Sequence, residues 1–141
     1  MIDFGLQCLA HGIGDYWLQN DYMALNKKKS WKIALLHAFV YTLPFLVLTR
    51  SIVALLIICL THAFIDHTDI VQRLNRLKNW HFQKDAVFFL KQLGNGIAQK
   101  TTIELKDGYG DRPVFLRTWL IIIQDNILHL LMNYISLYYF G

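Results

Sequence analysis

VFLRTWLIIIQDNILHLLMNYISLYYF, residues 114–140, is a long apolar run marked on one side by Asp125, His129 and Asn133. Residues four apart share a helix face, so the three polar groups form one stripe on an otherwise apolar helix. The run is long enough to cross a bilayer with some tilt. Three shorter apolar segments repeat the pattern. Residues 2–19 carry Gln7, His11, Asp15 and Gln19; residues 31–49 carry His37 and Tyr41; residues 51–67 carry His62 and Asp66. The expected fold class is an all-α membrane protein: one domain over residues 1–141, a bundle of four transmembrane helices with an amphipathic basic connection at 68–113.

Composition supports that reading. The chain is 55% hydrophobic and 17% charged, against about a quarter charged in an ordinary soluble domain. A soluble helical bundle with a large core is the alternative. Tyr16, Trp17, Trp31, Trp119, Tyr134, Tyr138 and Tyr139 fall near segment ends, as an interfacial aromatic belt requires. Pro44 should kink or break the second segment. Residues 2–19 have no basic leader before them and read as mature structure. Cys8 and Cys59 read as buried, reduced thiols, having neither CxxC spacing nor a disulfide framework.

The charges orient the bundle. Lys27, Lys28, Lys29 and Lys32 follow the first segment, and the remaining basic residues lie between Arg73 and Arg117, except for Arg50 alone at the opposite turn. The positive-inside rule then places the first loop and the long connection in the cytoplasm, with both termini outside. Ile70, Val71, Leu74 and Leu77, and later Val87, Phe88 and Leu90, recur at helical spacing among basic residues. That pattern predicts amphipathic helices on an anionic leaflet, with membrane lipids as partners. No nucleic-acid motif accompanies the charge, so nucleic acid is not an expected partner. Gly94 to Gly96 and Gly108 to Asp111 read as turns without phosphate-loop character. Short spans bury little on their own, which is compatible with a homo-oligomer.

With that topology the stripes meet at one depth. His37 lies six residues past Trp31 and Asp125 eight past Arg117, about 9–12 Å along a helix. An Asp at a bilayer centre costs about 2.5–3.5 kcal/mol on insertion scales. Such groups need a proton, a partner or a cation. His11, Asp15, His37, His62, Asp66, Asp125 and His129 are therefore candidate metal ligands, for one or two divalent ions. A mixed His/Asp set suits Zn or Mn rather than Mg or Ca. Gln7, Gln19, Tyr41, Asn126 and Asn133 are candidates to hold those ligands by hydrogen bonds. A structural polar network is the bland reading, but interhelical bonds of about 0.6 kcal/mol do not offset buried carboxylates. His67 and His81 read as ordinary interfacial or loop residues.

HGIGDYWLQNDYMALNKKKS (11–30), LLHAFVYTLPFL (35–46), THAFID (61–66) and GYGDRPVFLRTWLIIIQDNILHLLMNY (108–134) together resemble a small bacterial and phage membrane-protein family. That family is called domain of unknown function three-three-zero-seven. Its His-x-x-Gly-Asp-[Tyr/Phe]-x-Leu-Gln motif falls on His11 through Gln19, and its intramembrane His on His37. Its His-x-x-Ile-Asp falls on His62, Ile65 and Asp66, and its Asp-[Gln/Asn]-x-x-His on Asp125, Asn126 and His129. Asp111, Arg112 and Pro113 are most similar to phage and prophage members, whereas His67 stands where those members often carry Arg. The resemblance implies the bacterial inner membrane and supplies no activity. A more distant similarity, to membrane-bound metal-dependent hydrolases, is analogy. The expected function is an intramembrane His/Asp metal site near the cytoplasmic face, serving a hydrolase of lipid or lipid-linked substrates. Which carboxylate would be the general base is open. The alternatives are a proton- or ion-conducting transporter element and a phage membrane effector acting by protein contact.

Overall fold

The computed structural model describes residues 3–79 and 113–141. Among them the chain is entirely helical: α1 Phe4–Gly12, a π-helical turn Ile13–Trp17, α2 Asp21–Asn26, α3 Trp31–Thr42, a 3-10 segment Leu43–Val47, α4 Ile52–His67, α5 Ile70–Lys78 and α6 Val114–Phe140. The starts follow from capping chemistry. The side chains of Asp3, Asn20 and Ser51 accept hydrogen bonds from the backbone N–H groups of Leu6, Met23 and Ala54. Pro44 lacks an N–H, and the helix tightens into the 3-10 segment around it.

The four expected spans need correcting. Among the described residues, α6 is the one single helix long and apolar enough to cross a membrane. Residues 2–19 are interrupted by the π-turn, and residues 31–49 by the 3-10 segment. α4 has 16 residues, about 24 Å, which is short of a 30 Å hydrocarbon core. Hydropathy counts apolar residues but not the breaks between them. Of the expected amphipathic connection, α5 is observed, with Arg76 and Lys78 in its last turn. Val87, Phe88, Leu90, His81 and the turns at 94–96 and 108–111 lie outside the described residues.

The chain divides into two compact units, residues 1–68 with 126–141, and residues 69–125. The second contains α5, whose Val71 and Asn75 are buried, and the first half of α6. In the first unit an apolar layer forms from Ala10, Tyr41, Phe45, Ile58 and Leu137, flanked by Leu48 and Leu55. Fully buried Ala34, Ala38 and Ala54 let backbones approach closely. Gly14 serves the same end: a Cβ there would meet Tyr41 Cδ2 at 2.6 Å and the Tyr41 carbonyl oxygen at 2.8 Å.

The polarity of this unit is inverted. Gln7, His11, Asp15, His37, His62, Asp66, His129 and Asn133 are buried, while Leu9, Trp17, Phe39, Val47, Ile52, Leu60 and Leu131 are exposed.

Candidate metal centre

The π-turn aims Asp15 inward. Its wide hydrogen bond, Leu18 N–H to the Ile13 carbonyl at 2.9 Å, puts an extra residue into the turn that carries Asp15. Such turns are frequent at functional sites. α3 contributes His37, and α4 contributes His62 and Asp66 one turn apart.

Four ligand-type atoms from these residues lie within 4.8 Å of one another, and all four residues are buried. His37 Nε2 is 3.0 Å from His62 Nε2, 3.1 Å from Asp15 Oδ1 and 3.3 Å from Asp66 Oδ2. His62 Nε2 is 3.1 Å from Asp66 Oδ2 and 3.8 Å from Asp15 Oδ1. Donors bound tetrahedrally at about 2.0–2.1 Å lie about 3.3–3.5 Å from one another. The observed spacings bracket that range, so this buried His/Asp group could hold a metal ion.

Hydrogen bonds alone satisfy the cluster poorly. Two neutral imidazoles carry one proton each, which cannot serve every short approach among four convergent acceptor-type atoms. Asp66 Oδ2 and the Nδ1 atoms of His37 and His62 are buried with no hydrogen-bond partner among the described residues. Charge points the same way. Two carboxylates face one ammonium, Lys27 Nζ, at 3.0 Å from Asp66 Oδ1 and 3.9 Å from Asp15 Oδ1. With neutral imidazoles these three groups carry one net negative charge in a buried setting, which a proton on an imidazole or a further cation would balance.

The other candidates surround this set. His129 Nε2 lies 3.6 Å from Asp66 Oδ1, and His11 Nε2 lies 4.0 Å from Asp15 Oδ2. Both ring nitrogens of His11 are engaged. Asn133 Nδ2 donates to the Tyr41 hydroxyl at 2.6 Å, the hydroxyl donates to His11 Nδ1 at 2.8 Å, and His11 Nε2 donates to Asn126 Oδ1 at 2.6 Å. In that tautomer both His11 nitrogens are taken up by the hydrogen-bond chain. Tyr41 also stacks on His62 with ring centroids 3.6 Å apart, fixing the plane of that imidazole. Gln7 Nε2 donates to the Leu130 carbonyl at 2.6 Å, tying α1 to α6. Gln19 Oε1 is buried without a hydrogen-bond partner among the described residues, so that oxygen does not tie it to the cluster. Asp125 is half-buried one turn before His129 on α6, in the second unit.

Sequence reasoning misses Lys27. The run of three consecutive lysines reads as topological loop charge, and nothing in its spacing marks Lys27 as inward-facing. His67 likewise reads as ordinary from sequence, yet its Nδ1 donates to the Lys27 carbonyl at 2.9 Å and its ring packs on Trp31 at 4.0 Å.

An all-helical fold among the described residues, with a buried His/Asp cluster, is thus the class that fold and site define. The chain belongs to the family described as protein of unknown function DUF3307, whose family model matches residues 4–97. The matched region contains Asp15, Lys27, His37, His62 and Asp66; His129 lies beyond it. No curated protein and no solved structure matches the chain.

Proposed function

We propose that this protein is a membrane-embedded, metal-dependent hydrolase whose centre is held by Asp15, His37, His62 and Asp66, acting on a lipid or lipid-linked substrate. The observation that carries the reading is the convergence of four buried donor atoms at spacings suited to one ion. A mixed imidazole and carboxylate donor set suits Zn or Mn rather than Mg or Ca. His129 stands beside Asp66 and suits a fifth ligand or a proton carrier. Tyr41 and His11 orient the centre through the chain running from Asn133 to Asn126. A bound ion would polarise a phosphoryl or acyl oxygen and supply an activated water. Support for membrane embedding comes from the apolar exterior, from α6, and from the one-sided distribution of basic residues. A homo-oligomer would cover part of the same exterior.

The test is elemental analysis of detergent-purified protein, paired with hydrolysis assays on lipid substrates. About one transition-metal ion per chain, lost in His37→Ala and His62→Ala together with any hydrolysis, is the expected result. Protein that binds none after incubation with Zn or Mn would sink the reading. The chain Asn133–Tyr41–His11–Asn126 supports a second reading, proton conduction. It predicts proton flux in liposomes that Tyr41→Phe abolishes, with no lipid hydrolysed.

A further inference from the structure

Asp15 and Asp66 each serve two places. On one side Asp66 Oδ2 is 3.3 Å from His37 Nε2 and 3.1 Å from His62 Nε2, and Asp15 Oδ1 is 3.1 Å from His37 Nε2. On the other side Lys27 Nζ lies 3.0 Å from Asp66 Oδ1 and 3.9 Å from Asp15 Oδ1. The Asp66 oxygen that meets the lysine also lies 3.6 Å from His129 Nε2. Two shared carboxylates and an imidazole thus border the ammonium, and these are the donor types that hold a transition-metal ion. In two-metal hydrolytic sites the ions stand about 3.5–4 Å apart, close enough for one carboxylate to reach both.

Lys27 is fixed in that place. A lysine ammonium ordinarily stays in water while its stem covers apolar surface. The Lys27 side chain is only 17% exposed, whereas Lys28 and Lys29 in the same turn are exposed. The Lys27 carbonyl accepts a hydrogen bond from His67 Nδ1 at 2.9 Å, and the His67 ring packs on Trp31. Charge agrees with a single ion. Asp125, one turn before His129 on the same face of α6, brings a third carboxylate. One divalent ion and one ammonium balance three carboxylates. A second divalent ion would add charge to a balanced site and meet the ammonium at close range, where repulsion in a low dielectric is strong.

We infer that Lys27 occupies the second cation position of the centre and so holds it to one metal ion per chain. Replacing the lysine by a neutral residue opens a second metal site on Asp15, Asp66 and His129. The inference rests on the metal-centre reading of Asp15, His37, His62 and Asp66. It makes the chemistry that of one ion, which must both polarise the substrate and supply the activated water.

Detergent-purified full-length protein is stripped with a chelator and dialysed to equilibrium against excess Mn(II). Metal per chain is measured by elemental analysis, and the Mn(II) electron paramagnetic resonance spectrum is recorded. A lone Mn(II) gives a six-line signal, and two ions at two-metal spacing are exchange-coupled and lose it. The wild type is expected to hold about one ion with the six-line signal, and Lys27→Met about two with the coupled signal. Lys27→Arg keeps the charge and should stay at about one ion. Adding His129→Ala to Lys27→Met should return the count to about one. His67→Phe keeps a ring against Trp31 but removes the hydrogen bond to the Lys27 carbonyl. It should bind a second ion several-fold more tightly than wild type, which keeps the inference testable should Lys27→Met fail to fold. The inference is overturned, with the metal centre left standing, by a wild type or Lys27→Arg that holds two ions, by a folded Lys27→Met that holds one, or by a second ion that survives His129→Ala. Where Lys27→Met does not fold, a His67→Phe variant that matches wild type overturns it equally. A wild type that takes up no metal overturns the centre and the inference with it.

Discussion

Two layers of the first unit obey different rules. Ala10, Tyr41, Phe45, Ile58 and Leu137 pack as a conventional apolar core. The adjoining layer gathers Asp15, His37, His62 and Asp66 in a buried space where short approaches outnumber the protons available to serve them. The first layer is satisfied as it stands; the second is electrostatically incomplete. Packing free energy belongs to the one, and the proposed ligand binding to the other. Tyr41 belongs to both, its ring in the core and its hydroxyl in the polar chain.

Variants that act on one layer and spare the other would break that comparison or sharpen it. The largest effect is expected for Asp66→Asn, which removes a charged donor from the centre. Metal affinity measured by competition with a chelator should fall more than about a hundredfold, beyond the loss from an outer hydrogen-bond partner, while helical circular dichroism persists. Ile58→Ala acts on the other layer. It should destabilise the fold by about 2–5 kcal/mol in denaturant titration, with the metal content of the folded fraction unchanged. Gly14→Ala forces a Cβ into Tyr41 and should cost about 1–3 kcal/mol, together with a measurable drop in metal affinity, because the π-turn bearing Asp15 must shift. Tyr41→Phe keeps the ring and deletes the hydroxyl between His11 and Asn133. Metal affinity should fall about tenfold, and a variant that binds metal as tightly as wild type would remove Tyr41 from the support of the centre.

The layers are unequally legible in the sequence. His62 and Asp66 lie one turn apart on an uninterrupted helix, so their shared face can be read from spacing alone. His37 is legible as a polar residue in an apolar run, and Pro44 announces the break where the 3-10 segment forms. Asp15 is legible for a reason that does not hold in detail. Its four-residue spacing from His11 assumes an ideal α-helix, whereas the π-turn sets Asp15 against His37 at 3.1 Å and leaves His11 at 4.0 Å. Lys27 is illegible because its inward turn depends on partners about forty residues away, Asp66 and His67. Span lengths are overestimated because the π and 3-10 breaks have no hydropathy signature. Helix, polar stripe and apolar exterior arise from local pattern. The choice between a residue that binds and one that supports depends on backbone register and long-range hydrogen bonds.

The widened turn at Ile13–Trp17 is equivalent to one residue added to a regular helix. Taking that residue away would restore the ordinary ladder and leave the helix on either side of the turn close to its present facing. A single-residue deletion at Ile13 would thus remove the widened turn that carries Asp15 while leaving α1 itself unchanged. The capacity of this bundle to gather a centre depends on an insertion-like irregularity, and a regularised version of the same helices would be a scaffold without it.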